Sequence, residues 1–367
     1  MTFHKSLLAL TMGLLATAPA MAQISMEKGG GDETGPYQVQ VGWFKPGIDR
    51  WDQPVIAVAV DNDNRIIIGN SDQLNTQPNS LMYNADGTVM KERSTTSTKP
   101  KDQRTHAHLI EVLDATGKVV EDWKQWDDLI AIPHSIHIDP HDKDRHVWVI
   151  DRDNHQILKF SNDGKKLVMR LGEKGVPGTD HTHFNAPAGL AFMPDGSFYV
   201  ADGYRNSRIV KFDKAGKFLL EWGSKGSEPG QFNLVHSVAI DANHRIYASD
   251  RSNNRIQVFD ENGKFIEQWP NVHGVTRLVV TQDNAVWVSS AVGYNRFAKY
   301  DLEGHLLTYW GVSGSDPGAM DNPHQYALDS KGNLYIADAW NNRLQKLAPK
   351  AGGDKSRMMA PEFVVTK

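Results

Sequence analysis

The chain has 367 residues, a formal net charge of −4, 15 histidines, 10 tryptophans, 31 glycines and no cysteine. An apolar share of 40% supports a packed core and excludes wholesale disorder, while mild acidity without a basic block excludes nucleic acid as the main partner. The missing cysteine excludes a disulfide framework, a thiolate metal site and a cysteine nucleophile, so metal chemistry falls to histidine and carboxylates.

Residues 1–22 read as a secretory signal peptide. Lys5 gives a positive start, Leu7 to Leu15 is an apolar run, and Ala20-Met-Ala22 fits a small-x-small cleavage site. An uncleaved anchor is the alternative, although the run is short and wrongly flanked for a membrane span. The mature protein is expected to begin near Gln23, to be secreted or periplasmic, and to start with a flexible segment over 23–36.

From there the chain repeats. Four copies carry a marker aspartate after a short apolar run: Asp151, Asp202, Asp250 and Asp338, spaced by 51, 48 and 88 residues. The last spacing is two repeats of 44, and the intervening copy, Ala285 to Asn295, lacks the aspartate. In the copy from Ala188, turn signals at Pro194-Asp-Gly196, Asp202 to Asn206 and Lys214-Ala-Gly216 separate four short strands. A period of about 40–50 residues with four strands is one blade of a β-propeller.

Blades begin near Pro54, His134, Ala188, His236, Thr276 and His324, which predicts an all-β, six-bladed propeller over 37–347. The first blade is interrupted by a polar insertion at about 70–108, read as a mobile lid or as a surface loop. The last repeat has only three strands before Leu347. The strand beginning at Tyr37 resembles a fourth strand, so it is expected to complete the sixth blade and close the ring. The tail over 348–367 is either loose or packed on the outside.

The first strand of a propeller blade lines the central channel. The leading positions are Ile56, His134, Ala188, His236, Thr276 and His324, with Asp61, Asp139, Asp241 and Asp329 fixing the register five residues later. Histidine thus recurs in alternate blades. Six blades set alternate ones about 120° apart around the axis, so three imidazoles would converge on one point with the fourth direction open, as in a catalytic zinc site. The other histidines (His106, His108, His137, His141, His155, His181, His183 and His273) lack this regularity and are expected in loops or on the surface. Just after the second strands sit Arg152, Tyr204, Arg251 and Trp340. An arginine there could clasp a carboxylate, and a tyrosine beside a metal could serve as a base. Arg208, Arg255 and Arg343 belong to the turn consensus and are expected to be structural.

The repeat Ala-Asp-x-x-Asn-x-Arg-Ile-x-x-Phe, followed by Gly-Lys and Trp-Gly, resembles the NHL repeat. More specifically, Ile132-Pro-His-Ser-Ile-His-Ile-Asp139, Asp202-Gly-Tyr204, Gln231-Phe-Asn-Leu-Val-His236, Asp250-Arg251 and Asp321-Asn-Pro-His-Gln325 resemble the peptidyl-α-hydroxyglycine α-amidating lyases, over roughly residues 110–347. The resemblance implies C–N cleavage of a peptidyl α-hydroxyglycine, or a related α-hydroxy-amide, to an amide and glyoxylate. It implies zinc on His134, His236 and His324, catalysis by Tyr204 and substrate binding by Arg251. It also implies a structural calcium on backbone carbonyls, Ile136 among them, but the family's aspartate ligand is Gln325 here, a weaker calcium ligand. A monomer acting on a peptide or small-molecule substrate is expected. The competing readings are a non-catalytic NHL-repeat binding or scaffold propeller of the cell envelope, and a lactonase-type hydrolase, whose acidic and Asn metal ligands the alternating histidines disfavour.

Overall fold

The computed structural model describes residues 34–45, 54–71, 81–83, 89–92, 106–291 and 293–364. The expected signal peptide at 1–22, most of the segment over 23–36 and most of the insertion at 70–108 lie outside the described residues. No helix among the described residues is long and apolar enough to cross a membrane.

Six four-stranded antiparallel sheets are present among the described residues. In the third, Gly189–Phe192, Phe198–Asp202, Arg208–Phe212 and Phe218–Trp222 follow one another in order, close to the strands read from the sequence. The sixth sheet joins Pro323–Leu328, Leu334–Asp338 and Arg343–Pro349 to the N-terminal strand Tyr37–Val39. Tyr37 pairs with Pro349 and Val39 with Leu347, so the first strand closes the last blade as expected. One detail lies beyond the sequence reading, and one decides between its alternatives. The insertion contains a two-stranded hairpin, Leu81–Tyr83 with Val89–Glu92, before the blade resumes at Ile110–Leu113. The tail is packed: the Tyr37 hydroxyl oxygen accepts the Met359 N–H at 2.9 Å, and Phe363 N–H donates to Val280 O at 2.7 Å.

The consensus residues explain how the blades hold together. Asp202, Asp250 and Asp338 end their second strands fully buried. Each accepts a backbone N–H from the loop that precedes its blade (Asn185, Asn233 and Asp321) and the Nε–H of Arg208, Arg255 or Arg343 at 2.8–2.9 Å. The remaining guanidinium N–H groups donate to loop carbonyls; Arg255 reaches Ser227, Glu228 and Gln231. These arginines staple loop to blade, the structural role expected for them. Removing one partner of a buried pair strands the other charge. Arg255→Ala is therefore expected to cost about 3 kcal/mol in a denaturant titration, and a loss indistinguishable from zero would contradict this reading.

The Gly-Lys and Trp-Gly of the repeat work between blades. Gly164 and Gly263 turn at φ +69° and +84°, and a Cβ there would lie 2.1 Å from the ring of Trp123 and 2.6 Å from that of Trp222. Trp222 ends the outer strand of its blade, Trp123 follows the outer strand Val119–Asp122 of its own, and each seats on the next blade's turn. Gly117 lies against Trp43 as well, its Cβ position 1.9 Å from the Trp43 carbonyl oxygen and 3.0 Å from the ring, which ties the sixth blade to the first.

Candidate metal centre

The three alternating histidines stand second in the inner strands Pro133–Ile138, Val235–Ile240 and Pro323–Leu328. At each of them the pairing with the second strand slips: between Pro133 and Ser135, between Val235 and Val238, and between Pro323 and Gln325. The same slip falls at Ile56 and at Thr276. A bulge leaves one residue unpaired and re-aims its side chain, and here it turns the leading residue into the channel.

The bulge also explains why histidine alternates. His134 Nδ1 contacts Ala188 O at 3.1 Å, His236 Nδ1 contacts Thr276 O at 2.6 Å, and His324 Nδ1 contacts Ile56 O at 2.8 Å. Each partner is the leading residue of the next blade, so the three blades without histidine supply the three carbonyls. A carbonyl only accepts, so each Nδ1 carries the proton and each Nε2 offers a lone pair. Ligating histidines are oriented in this way by their second nitrogen.

The rings converge, with centroids 4.5, 5.0 and 5.2 Å apart. One ligand nitrogen from each lies within 4.8 Å of the others. The imidazoles are only 2%, 2% and 8% exposed, and burial holds all three well below the ordinary histidine pKa, His324 at about 3. They are neutral, the state that binds metal. In metal-stripped protein the unfolded chain takes up protons near pH 6.5 that the folded triad refuses, so stability falls as pH drops. A denaturation series from pH 8 to pH 5 on chelated protein is expected to show that loss; constant stability would contradict it.

Tyr204 completes the site. It follows the strand Phe198–Asp202, and its hydroxyl lies 3.0 Å from His134 Nε2 and 2.9 Å from His236 Nε2. Gly203 permits this approach: a Cβ there would stand 1.7 Å from Val235 O, beside His236. One phenolic proton cannot serve two lone-pair nitrogens. Three imidazole lone pairs and a hydroxyl oxygen around one point, short of protons, fit a divalent cation.

The neighbouring candidates divide. The Arg152 guanidinium lies 5.3 Å from the Tyr204 ring centroid and pairs with Asp153 at 2.6 Å, so it bears on the site more than its place in the turn suggests. Arg251 is half-buried, and its charge acts on His236 and His324. Its guanidinium has no hydrogen bond or carboxylate partner among the described residues. Trp340 is half-buried, anchored by its backbone N–H on Asp321 O.

Two expectations need correcting. His137 is not a surface residue: it lies in the channel, its Nε2 3.0 Å from Ser135 Oγ. The bulge at His134 shifts the alternation by one, so Ser135 and His137 share the channel side while Ile136 packs in the core. Ile136 does not fit a calcium ligand. Its carbonyl accepts from Gln325 Nε2 at 2.7 Å, while Gln325 Oε1 accepts from Ile136 N at 3.1 Å and Val58 N at 3.2 Å. The amide thus donates a proton where a cation would need a lone pair, and links the sixth blade to the first and second.

Comparison with known proteins agrees with this architecture. An NHL repeat family model matches residues 184–212 and 232–259. The chain is a six-bladed propeller that carries NHL repeats at these positions. It resembles the peptidyl-α-hydroxyglycine α-amidating lyases. A probable lyase of that name from Caenorhabditis elegans is 35% identical over 133 residues, 36% of this chain and 37% of that protein. Peptidyl-glycine alpha-amidating monooxygenase A from Xenopus laevis is 29% identical over 259 residues, 67% of this chain and 26% of that protein. The chain thus spans only 26% and 37% of the length of these two relatives. A streptogramin B lyase structure superposes with a TM-score of 0.53 at 13% identity, covering 86% of this chain and 97% of that one, which speaks for the fold alone.

Proposed function

We propose that the propeller is a zinc-dependent lyase that cleaves the C–N bond of a peptidyl α-hydroxyglycine, or a related α-hydroxy-amide, to an amide and glyoxylate. The observation that carries this reading is the convergence of three carbonyl-oriented imidazoles with the Tyr204 hydroxyl. The relatives named as amidating lyases support it. Zinc held by His134, His236 and His324 would supply a Lewis acid that lowers the pKa of a substrate hydroxyl.

The chain's own groups then divide the work. Tyr204 takes the hydroxyl proton, for which its oxygen is already in place beside two ligand nitrogens. The C–N bond breaks as the carbinol carbon becomes an aldehyde, and the proton taken from the hydroxyl ends on the departing nitrogen, which becomes the amide. Arg251, without a carboxylate of its own, holds the substrate carboxylate. Arg251→Gln is expected to lower kcat/KM by about ten- to a hundredfold, the worth of a charged hydrogen bond, mainly through KM; an unchanged KM would remove Arg251 from substrate binding.

The same proposal puts this activity outside the cytoplasm, on the reading of 1–22 as a signal peptide, and in a monomer. The test is glyoxylate release from a small α-hydroxyglycine substrate before and after chelation. Loss on chelation and return with zinc are expected; release indifferent to chelation would overturn the reading.

A further inference from the structure

Below the histidine layer, the other end of the channel opens into a cavity of about 350 Å³. Small-molecule sites span about 300–1,000 Å³ and combine apolar walls with a few polar groups, and this cavity has that make-up. All six inner strands contribute to its wall, through residues such as Val60, Ile138, Ala191, Ile240, Val280 and Leu328.

The polar groups of its wall include His137, His141, Arg145, Arg277, Asp329, Ser330 and Glu362. Arg277 lines both this cavity and the narrow space under the triad. Its side chain is 14% exposed, and its Nε is buried with no hydrogen-bond partner among the described residues. His141 Nε2, on the same wall, is also buried without a partner. Two other ionic groups of the wall are engaged elsewhere: Asp329 with Asn333 and Tyr335, and Arg145 with Asp61. Among the described residues, the carboxylate that meets Arg277 is Glu362 of the tail, at a long 3.4 Å and with its side chain 58% exposed. The tail holds Glu362 there by a short bridge to Thr281 and two flanking backbone hydrogen bonds, Gln282 N–H to Pro361 O and Phe363 N–H to Val280 O.

We propose that this cavity is a second binding site, for an aliphatic carboxylate, with Arg277 as its anion anchor and Glu362 as a built-in stand-in that the ligand displaces. An exposed ion pair at this distance is weak, whereas a ligand carboxylate would reach the buried Nε and carry its apolar chain out of water. The site depends neither on metal in the triad nor on the lyase reading, because no residue of it belongs to either.

Isothermal titration of the full mature chain with decanoate, decanol and acetate tests this. Decanoate is expected to bind with one site per chain, and decanol and acetate at least about tenfold more weakly, because each lacks half of the recognition. Arg277→Gln should weaken decanoate at least about tenfold, and Glu362→Gln, an exposed change that spares the fold, should tighten it by removing the internal competitor. No decanoate binding, or binding indifferent to both substitutions, would overturn the proposal.

Discussion

Replacing His236 by alanine is expected to abolish both metal binding and glyoxylate release, the latter by at least about a thousandfold. The imidazole is one of three, its Nδ1–H is committed to Thr276 O, and its Nε2 lies 2.9 Å from the Tyr204 hydroxyl. Its loss opens the coordination set and leaves the Thr276 carbonyl without that donor. The blade's structural contacts lie elsewhere, in Asp250, Arg255 and the pairing of the inner strand with Ile246–Asp250, so the variant should still fold. His137→Gln is the control. His137 shares the channel but hydrogen-bonds Ser135 and is no part of the triad, so that variant should keep its metal and its activity. A His236→Ala protein that still releases glyoxylate at the parental rate would remove the triad from the mechanism.

Tyr204→Phe should separate chemistry from metal binding. The substitution removes one oxygen and keeps the ring beside Arg152. Metal content should be unchanged, because the three imidazoles and their carbonyl partners are untouched. The rate should fall by about a hundred- to ten-thousandfold, the usual worth of a positioned proton-transfer group. The loss should appear in kcat more than in KM, since the carboxylate clasp by Arg251 remains. Full activity in Tyr204→Phe would show that another group takes the proton.

Much of this arrangement is legible in the sequence. The marker aspartates and Trp-Gly ends carry the repeat because each has a fixed partner: a loop N–H and an arginine for Asp250, the next blade's turn for Trp222. The N-terminal strand was legible from the sixth blade's shortfall of one strand. The histidines were legible because blade register places equivalent residues at equivalent depth. What escaped the sequence is what depends on contacts between blades. Strict alternation along Pro133–Ile138 puts His137 opposite His134, and only the bulge reverses that. The carbonyls of Ile56, Ala188 and Thr276 carry no side-chain signal at all. Gln325 looked like a weakened cation ligand, whereas its amide satisfies three backbone groups of two other blades. The tail's composition gave no hint that Glu362 would meet Arg277 across the far end of the channel. The hairpin inside the polar insertion was hidden by its lack of alternation.

The central claim is that three neutral imidazoles hold one catalytic zinc, and metal analysis of the purified mature protein tests it most directly. The account predicts about one equivalent of zinc per chain, removed by chelation together with glyoxylate release and restored with it. Metal far below one equivalent in protein that releases glyoxylate at full rate would contradict it.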